Sequence, residues 1–389
     1  MLLFFAIFIT SKVDHPVYFV PGLFSSNLTL TYNNYAKHYY CPKSLNQEFV
    51  WPNPKYQNSP TLSNCLVDFL AQNYDPITNT LSDLPGVVWK AGEIGESHTS
   101  VICQLIDYFF KQHGYTNDNF KSVPYDWRLA VSSHFLEGGL FSRLKASIEE
   151  TYTINSNTPV VMIGYSLGTL ISHTFLMQYC DEEWRQKYIF RIIFQCPAIC
   201  GASIATLSFF YNLLIKSSLP YVSNDLLSKL PSRIPSLINL FPNYEVFTDP
   251  IIYGPNSQVF TAKNVSKALE YSTAYRNNAF KIFKTIEPYI SNGPQDPKIP
   301  TLVIYNSVIP TVYSMSLSKT WEFQDVQYQG GDSTVPKVGP EWLCKNWENI
   351  QCYDLHCSDL NTCDHGNSIY QPTTLALFYN FTTEEPIYI

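Results

Sequence analysis

A chain of 389 residues is long enough to bury a sizeable core, as two or three domains or as one large domain with insertions. A hydrophobic share of 45% excludes a largely disordered chain, and a charged share of only 15% leaves solubility to Asn, Ser, Thr, Gln and Tyr. The net charge is −7 and no Lys/Arg block stands out, which excludes an electrostatic nucleic-acid footprint.

Leu2 to Ile9 is an unbroken apolar run followed by Thr10 and Ser11. It is too short to span a bilayer and fits a secretory h-region, so residues 1–11 are read as a signal peptide ahead of a mature chain 12–389. His15 to Val20 is a short β-rich run that stops at Pro21-Gly22, and residues 33–98 read as irregular, rich in Asn, Pro and Tyr. Val101 to Gln112 has helical apolar spacing, Phe120 to Tyr125 reads as a strand and Phe141 to Tyr152 as a helix. Pro159 to Ile163 is a buried strand, Leu167 to Tyr179 a helix, and Tyr188 to Gln195 and Thr301 to Tyr305 are further β-rich runs. Apolar strands alternating with helices predict a mostly parallel sheet covered on both faces. Residues 202–298 interrupt the rhythm and are read as an inserted cap, whose stretch 207–230 suits either a packed helix or an amphipathic lid.

Ten cysteines, with Cys344, Cys352, Cys357 and Cys363 crowded together, read as disulfides of an oxidising lumen. The spacings lack a paired C-x-x-C, so no metal site is expected. Cys196 and Cys200 flank one turn, and whether they pair is left open. Among the N-x-S/T sequons, Asn264 and Asn380 suit glycosylation better than Asn27, which lies close to the turn after the first strand.

Gly164-Tyr165-Ser166-Leu167-Gly168 is G-x-S-x-G between a buried strand and a helix, the context of a nucleophile elbow. A hydroxyl is a poor nucleophile without an adjacent base, and the order expected after such an elbow is Ser, acid, His. Asp332 follows a Gly-Gly lead-in, and His365 sits near the end of the chain in Cys-Asp-His-Gly-Asn. His356 is the rival base; Asp325, Asp354 and Asp364 are rival acids. The tetrahedral oxyanion of acyl transfer needs N–H donors, assigned to the backbone of Leu167 and of Leu23 after the first strand. Asp126 and Arg128 read as a buried structural pair.

Five stretches in this order resemble the lecithin:cholesterol acyltransferase family, which includes lysosomal phospholipase A2 and the phospholipid:diacylglycerol acyltransferases. They are HPVYFVPG at 15–22, the Cys41 to Cys65 segment with Trp51 inside it, VPYDWRL at 123–129, VMIGYSLG at 161–168 and GGDSTVP at 330–336, with His365 completing the pattern. The resemblance implies an α/β-hydrolase with an inserted cap or lid, and Ser166, Asp332 and His365 as nucleophile, acid and base. It also implies a Cys41–Cys65 disulfide closing a small membrane-contacting subdomain within 33–98, with Phe49, Val50 and Trp51 at its tip; Trp51 is otherwise a core residue. A lid is implied near Tyr211 to Pro235.

The function expected is a secreted or lysosomal serine acyl hydrolase or O-acyltransferase. An acyl chain passes from a glycerophospholipid at a membrane or lipoprotein surface to Ser166, then to water or a lipid alcohol, with no cofactor. The alternatives are a soluble carboxylesterase or neutral lipase and, from another class, a non-catalytic lipid-binding protein.

Overall fold

Six strands, all parallel, form the central sheet in the order Ile350–Asp354, Thr301–Tyr305, Ile189–Gln195, Val160–Tyr165, Val17–Val20, Phe120–Ser122. The structure is a computed structural model that describes residues 15–383, apart from 35–38, 76, 78–79, 212–218, 220, 224–226, 228–229, 272–280 and 285–286. The expected signal peptide at 1–11 lies outside the described residues, as do 212–218, 220, 224–226 and 228–229 of the expected lid.

Successive residues of a strand point to opposite faces, so a sheet covered on both sides needs near-continuous apolar strands. Here Tyr18, Val20, Val160, Met162, Ile192 and Phe194 join one core, and Val17, Phe19, Val161, Ile163 and Ile193 join the other. The helix Val101–Gln112 packs Ile102, Cys103, Ile106 and Phe110 on the second face, beside Leu377 and Phe378 of the helix Pro372–Asn380. The helix Leu140–Ile154 covers the first face with Leu144 and Ile148, next to Leu170 and Ile171 of the helix Leu167–Thr174. The Ser100 hydroxyl accepts the Cys103 N–H and starts the 101–112 helix where its apolar spacing begins.

Two parts differ from the sequence reading. The stretch 33–98 holds ordered elements: Leu28–Tyr32 pairs antiparallel with Leu45–Trp51 and with Val88–Lys90, and the helix Leu62–Leu70 packs nearby. After the strand Thr301–Tyr305 the chain forms an antiparallel hairpin, Ile309–Leu317 with Phe323–Gly331, in a second sheet with Ile252–Tyr253 and Val259–Phe260. This hairpin delivers Gly330, Gly331 and Asp332 to the end of the central sheet.

Within 202–298 the described elements are short, among them the helices Ser203–Leu207, Pro235–Asn239 and Val265–Glu270. Arg128 is fully buried; its guanidinium bonds Asp126 at 2.6 and 2.9 Å and Asp83 at 2.8 and 3.3 Å, and it lies over the Trp89 ring. Three disulfides occur among the described residues: Cys41–Cys65, Cys344–Cys352 and Cys357–Cys363. Cys103, Cys180, Cys196 and Cys200 are buried free thiols, so Cys196 and Cys200 are not joined. Among the described residues no helix is long and apolar enough to cross a membrane.

Candidate active site

The strand Val160–Tyr165 ends in a turn so tight that Ser166 has φ 53° and ψ −124°, and the helix starts at Leu167. A side chain there is strained and is held only by its surroundings. A Cβ on Gly168 would collide with the carbonyl oxygens of Val20 and Pro21, and one on Gly164 would meet the Thr169 Cα at 2.9 Å. Both glycines of G-x-S-x-G are therefore demanded by close backbone approach.

Ser166 Oγ stands 2.8 Å from His365 Nε2, and His365 Nδ1 stands 2.8 Å from Asp332 Oδ2. Asp332 Oδ1 accepts the N–H groups of Thr334 and Val335 at 2.9 and 2.6 Å. Burial opposes ionisation of Asp332, but the charge of His365 and these hydrogen bonds outweigh it and hold the carboxyl below its ordinary value. With Nδ1–H donating to an ionised Asp332, His365 presents Nε2 as the acceptor for the Ser166 hydroxyl. The histidine is fixed from behind as well: its N–H donates to the Asp332 carbonyl at 2.6 Å, and Tyr165 Oη–H donates to the His365 carbonyl at 2.7 Å.

The rival residues lie elsewhere. The His356 side chain is 77% exposed and sits 3.6 Å from Asp354, which itself accepts the N–H groups of Ser307 and His356. Asp325 is exposed on the hairpin, and Asp364 caps the Asn367 N–H.

A cavity of about 170 Å³ opens above Ser166 and His365, walled by Leu23, Phe24, Ala202, Ile204, Ala205 and Leu240. Leu167 is the first residue of its helix, so its N–H has no intrahelical acceptor and the helix dipole favours negative charge beside Ser166. Leu23 lies on the loop after the strand Val17–Val20, across the same cavity.

Phe49, Val50 and Trp51 do not form an exposed tip. They end the strand Leu45–Trp51, where Val50 is fully buried and Trp51 is 2% exposed; consecutive residues point to opposite faces, so this end of the strand is covered on both sides, and only Phe49, at 38%, meets solvent. Trp51 Nε1–H donates to the Phe24 carbonyl at 2.9 Å, and its ring packs against Phe24 and Trp127. The side chain expected at a lipid surface thus props the loop that walls the cavity. Asn264 is half-buried with its side-chain oxygen accepting the Thr261 N–H, whereas Asn380 is exposed at the end of its helix.

The sequence did not single out Tyr165 or Ser368 near the site, and of Cys196 it raised only the pairing question. Cys196 Sγ, an Asp332 carboxylate oxygen and a His365 ring nitrogen lie within 4.8 Å of one another, the one set of three among the described residues spaced for a metal ion. The set suits a metal poorly. Burial and the Asp332 charge push the Cys196 thiol well above its ordinary value, so it stays protonated, and Asp332 and His365 already bind each other.

A family model described as lecithin:cholesterol acyltransferase matches residues 48–287, more than half of the chain. A phosphatidylcholine-sterol acyltransferase of Gallus gallus is 24% identical over 82% of this chain and 78% of its own length. A lysosomal phospholipase A and acyltransferase of Rattus norvegicus is 22% identical over 95% of this chain and 91% of its own. Among solved structures, a chain in the crystal structure of the Tle4–Tli4 complex superposes with a TM-score of 0.52 at 11% identity, covering 95% of this chain and 98% of that one. The fold is that of an α/β-hydrolase.

Proposed function

The chain belongs to the lecithin:cholesterol acyltransferase family, and from that premise we propose that it moves an acyl chain from a glycerophospholipid to water or a lipid alcohol through an acyl-Ser166 intermediate. The relatives are named for phosphatidylcholine and phospholipid substrates and for sterol acceptors or acyl transfer. The observation that carries the reading is the unbroken chain from Ser166 Oγ through His365 to Asp332, two contacts of 2.8 Å each, at the mouth of an apolar cavity.

In the first half-reaction His365 Nε2 takes the Ser166 proton as Oγ attacks the ester carbonyl. The oxyanion that forms is met by the N–H groups of Leu167 and Leu23. Collapse breaks the ester bond, and the proton on Nε2 passes to the departing glycerol oxygen. In the second, Nε2 takes a proton from the acceptor hydroxyl, whose oxygen attacks the acyl carbonyl, and the proton returns to Ser166. Asp332 keeps Nδ1 protonated throughout and stabilises the imidazolium.

Residues 202–298 act as the cap over this cavity, and residues 33–98 as the part that meets a lipid surface, with Phe49 as its exposed apolar contact. Three disulfides and the relatives' names support a secreted or lysosomal lumen, where Asn380 is the better glycosylation site.

Phospholipid vesicles with and without a sterol or a short-chain alcohol test the reading. Lipid analysis is expected to show lysophospholipid in every case, with free fatty acid or the acyl ester as the second product. Turnover of soluble short-chain esters with none on vesicles would make the protein a carboxylesterase instead.

A further inference from the structure

We propose that Cys196 is a positioning residue for the acyl-transfer step, its thiol donating to the Asp332 carboxylate from beneath the Asp332–His365 pair. The inference rests on the reading of Ser166, His365 and Asp332 given above.

Cys196 follows the last residue of the strand Ile189–Gln195 and has φ 49°, a left-handed conformation that favours glycine. An L-residue kept in that region at a site points to a use for its side chain. The side chain is fully buried. Gln195 Nε2 donates to Cys196 Sγ at 3.3 Å and to Ser368 Oγ at 3.2 Å, and Cys196 Sγ lies 3.1 Å from Ser368 Oγ. Ser368 Oγ in turn reaches the His365 carbonyl at 3.4 Å. A thiol that already accepts one hydrogen bond has its single S–H left to give. The Ser368 hydroxyl at 3.1 Å serves as donor to Sγ as readily as acceptor, and the S–H is then given to the ionised Asp332 carboxylate within 4.8 Å, from which a weak donor in a dry site gains most.

Asp332 Oδ1 is held by two backbone N–H groups and Oδ2 by His365, and the thiol, within 4.8 Å of the carboxylate, supplies a further donor. It does two things there. It fixes the plane of the carboxylate, and it withdraws charge from an oxygen that would otherwise make His365 more basic. Tyr165, whose hydroxyl bonds the His365 carbonyl, feels Cys196 and Asp332 electrostatically and has Tyr370 and Asp364 as its other titratable neighbours. The two tyrosines are pushed above their ordinary value by burial and stay neutral through the working range.

The experiment compares Cys196→Ala, Cys196→Ser and Cys196→Gly with the wild type. Its readouts are the pH profile of kcat/KM on a soluble ester, the kcat and KM values, thermal stability, and the rate of fluorophosphonate labelling, with Ser166→Ala as control. Cys196→Ala is expected to lower kcat about threefold to tenfold, the worth of one hydrogen bond, at unchanged KM. The acid limb of its profile is expected to move to higher pH, because a more basic Asp332 stabilises the imidazolium. Cys196→Ser restores a donor and is expected to return both toward wild type. Cys196→Gly relieves the backbone and is expected to behave like Ala in rate and limb position even where it melts higher. An unmoved acid limb, or Ser and Ala variants alike in rate, overturns the inference while the Ser166 reading stands. Labelling of Ser166→Ala at the wild-type rate overturns that reading, and this inference with it.

Discussion

Two neighbouring strands of the central sheet end in the same backbone device with opposite consequences. Tyr165 and Gln195 are register partners, and the residues after them, Ser166 and Cys196, both adopt left-handed φ near 50°. Each turn is pinned by the next strand: Ser166 N–H donates to the Gln195 carbonyl at 3.0 Å and Cys196 N–H to the Ile304 carbonyl at 2.9 Å. Ser166 is half-buried at the cavity and touches His365, whereas Cys196 is sealed below and faces the acid. The stronger nucleophile by element is the inert one here. Burial keeps the thiol protonated, while the hydroxyl has an imidazole nitrogen at 2.8 Å, the contact through which a base would activate it. Position relative to the cavity, more than residue type, divides the roles.

The largest expected effect breaks the Ser166 half of that comparison. Ser166→Ala is expected to lower ester cleavage by a factor on the order of 10⁶ with the fold intact, measured as turnover beside circular dichroism. His365→Ala is expected to be as inactive, whereas His356→Ala, 77% exposed in the structure, is expected to retain wild-type turnover. A dead His356 variant beside an active His365 variant would reverse the assignment.

Asp332→Asn sharpens the side on which Cys196 acts. It is expected to cost on the order of 10⁴ in kcat through loss of the correct imidazole tautomer. It also removes a pH dependence of stability. The folded-state Asp332 value is depressed, so its contribution is present above the unfolded carboxyl value of about 3.9 and is lost as pH falls through the lower folded value. Acid unfolding of Asp332→Asn is therefore expected to be less steep below pH ~4, as read by fluorescence.

Trp51 tests how the wall of the cavity is held. Trp51→Ser is expected to destabilise by about 3–5 kcal/mol, as for other buried tryptophans, and to reduce activity equally on vesicles and on a soluble ester. Selective loss on vesicles would return Trp51 to the lipid surface. Phe49→Ser carries the smallest effect: a modest loss of vesicle activity, on the order of the 1–2 kcal/mol of an apolar side chain partly buried at an interface, and none on the soluble ester.

The meeting of Ser166, His365 and Asp332 was legible because chemistry restricts which residues can be so arranged. An elbow needs glycines at 164 and 168; of the rival acids Asp332 alone has the Gly-Gly lead-in, and of the two late histidines His365 is the one that completes the family pattern. The central sheet was legible where strands are apolar on both faces, as in Val160–Tyr165. The strand Ile350–Asp354 escaped because IQCYD lies at the sheet edge with half-exposed or exposed residues throughout. The hairpin strand Ile309–Leu317 escaped because Pro310 near its start argues against a strand; the structure tolerates it where the side chain is exposed. Trp51 was misplaced because an apolar triplet in a polar segment looks the same whether it points in or out. Cys196 carried no signal, since what distinguishes it is a backbone angle and a contact 136 residues along the chain.

The acyl-enzyme itself is the most direct test. The protein is mixed with phosphatidylcholine vesicles labelled in the acyl chain, quenched in acid, digested and read by peptide mass. The account predicts the labelled acyl group on the peptide containing Ser166, and none in Ser166→Ala. Label on any other residue, or phospholipid cleavage by Ser166→Ala at the wild-type rate, would contradict it.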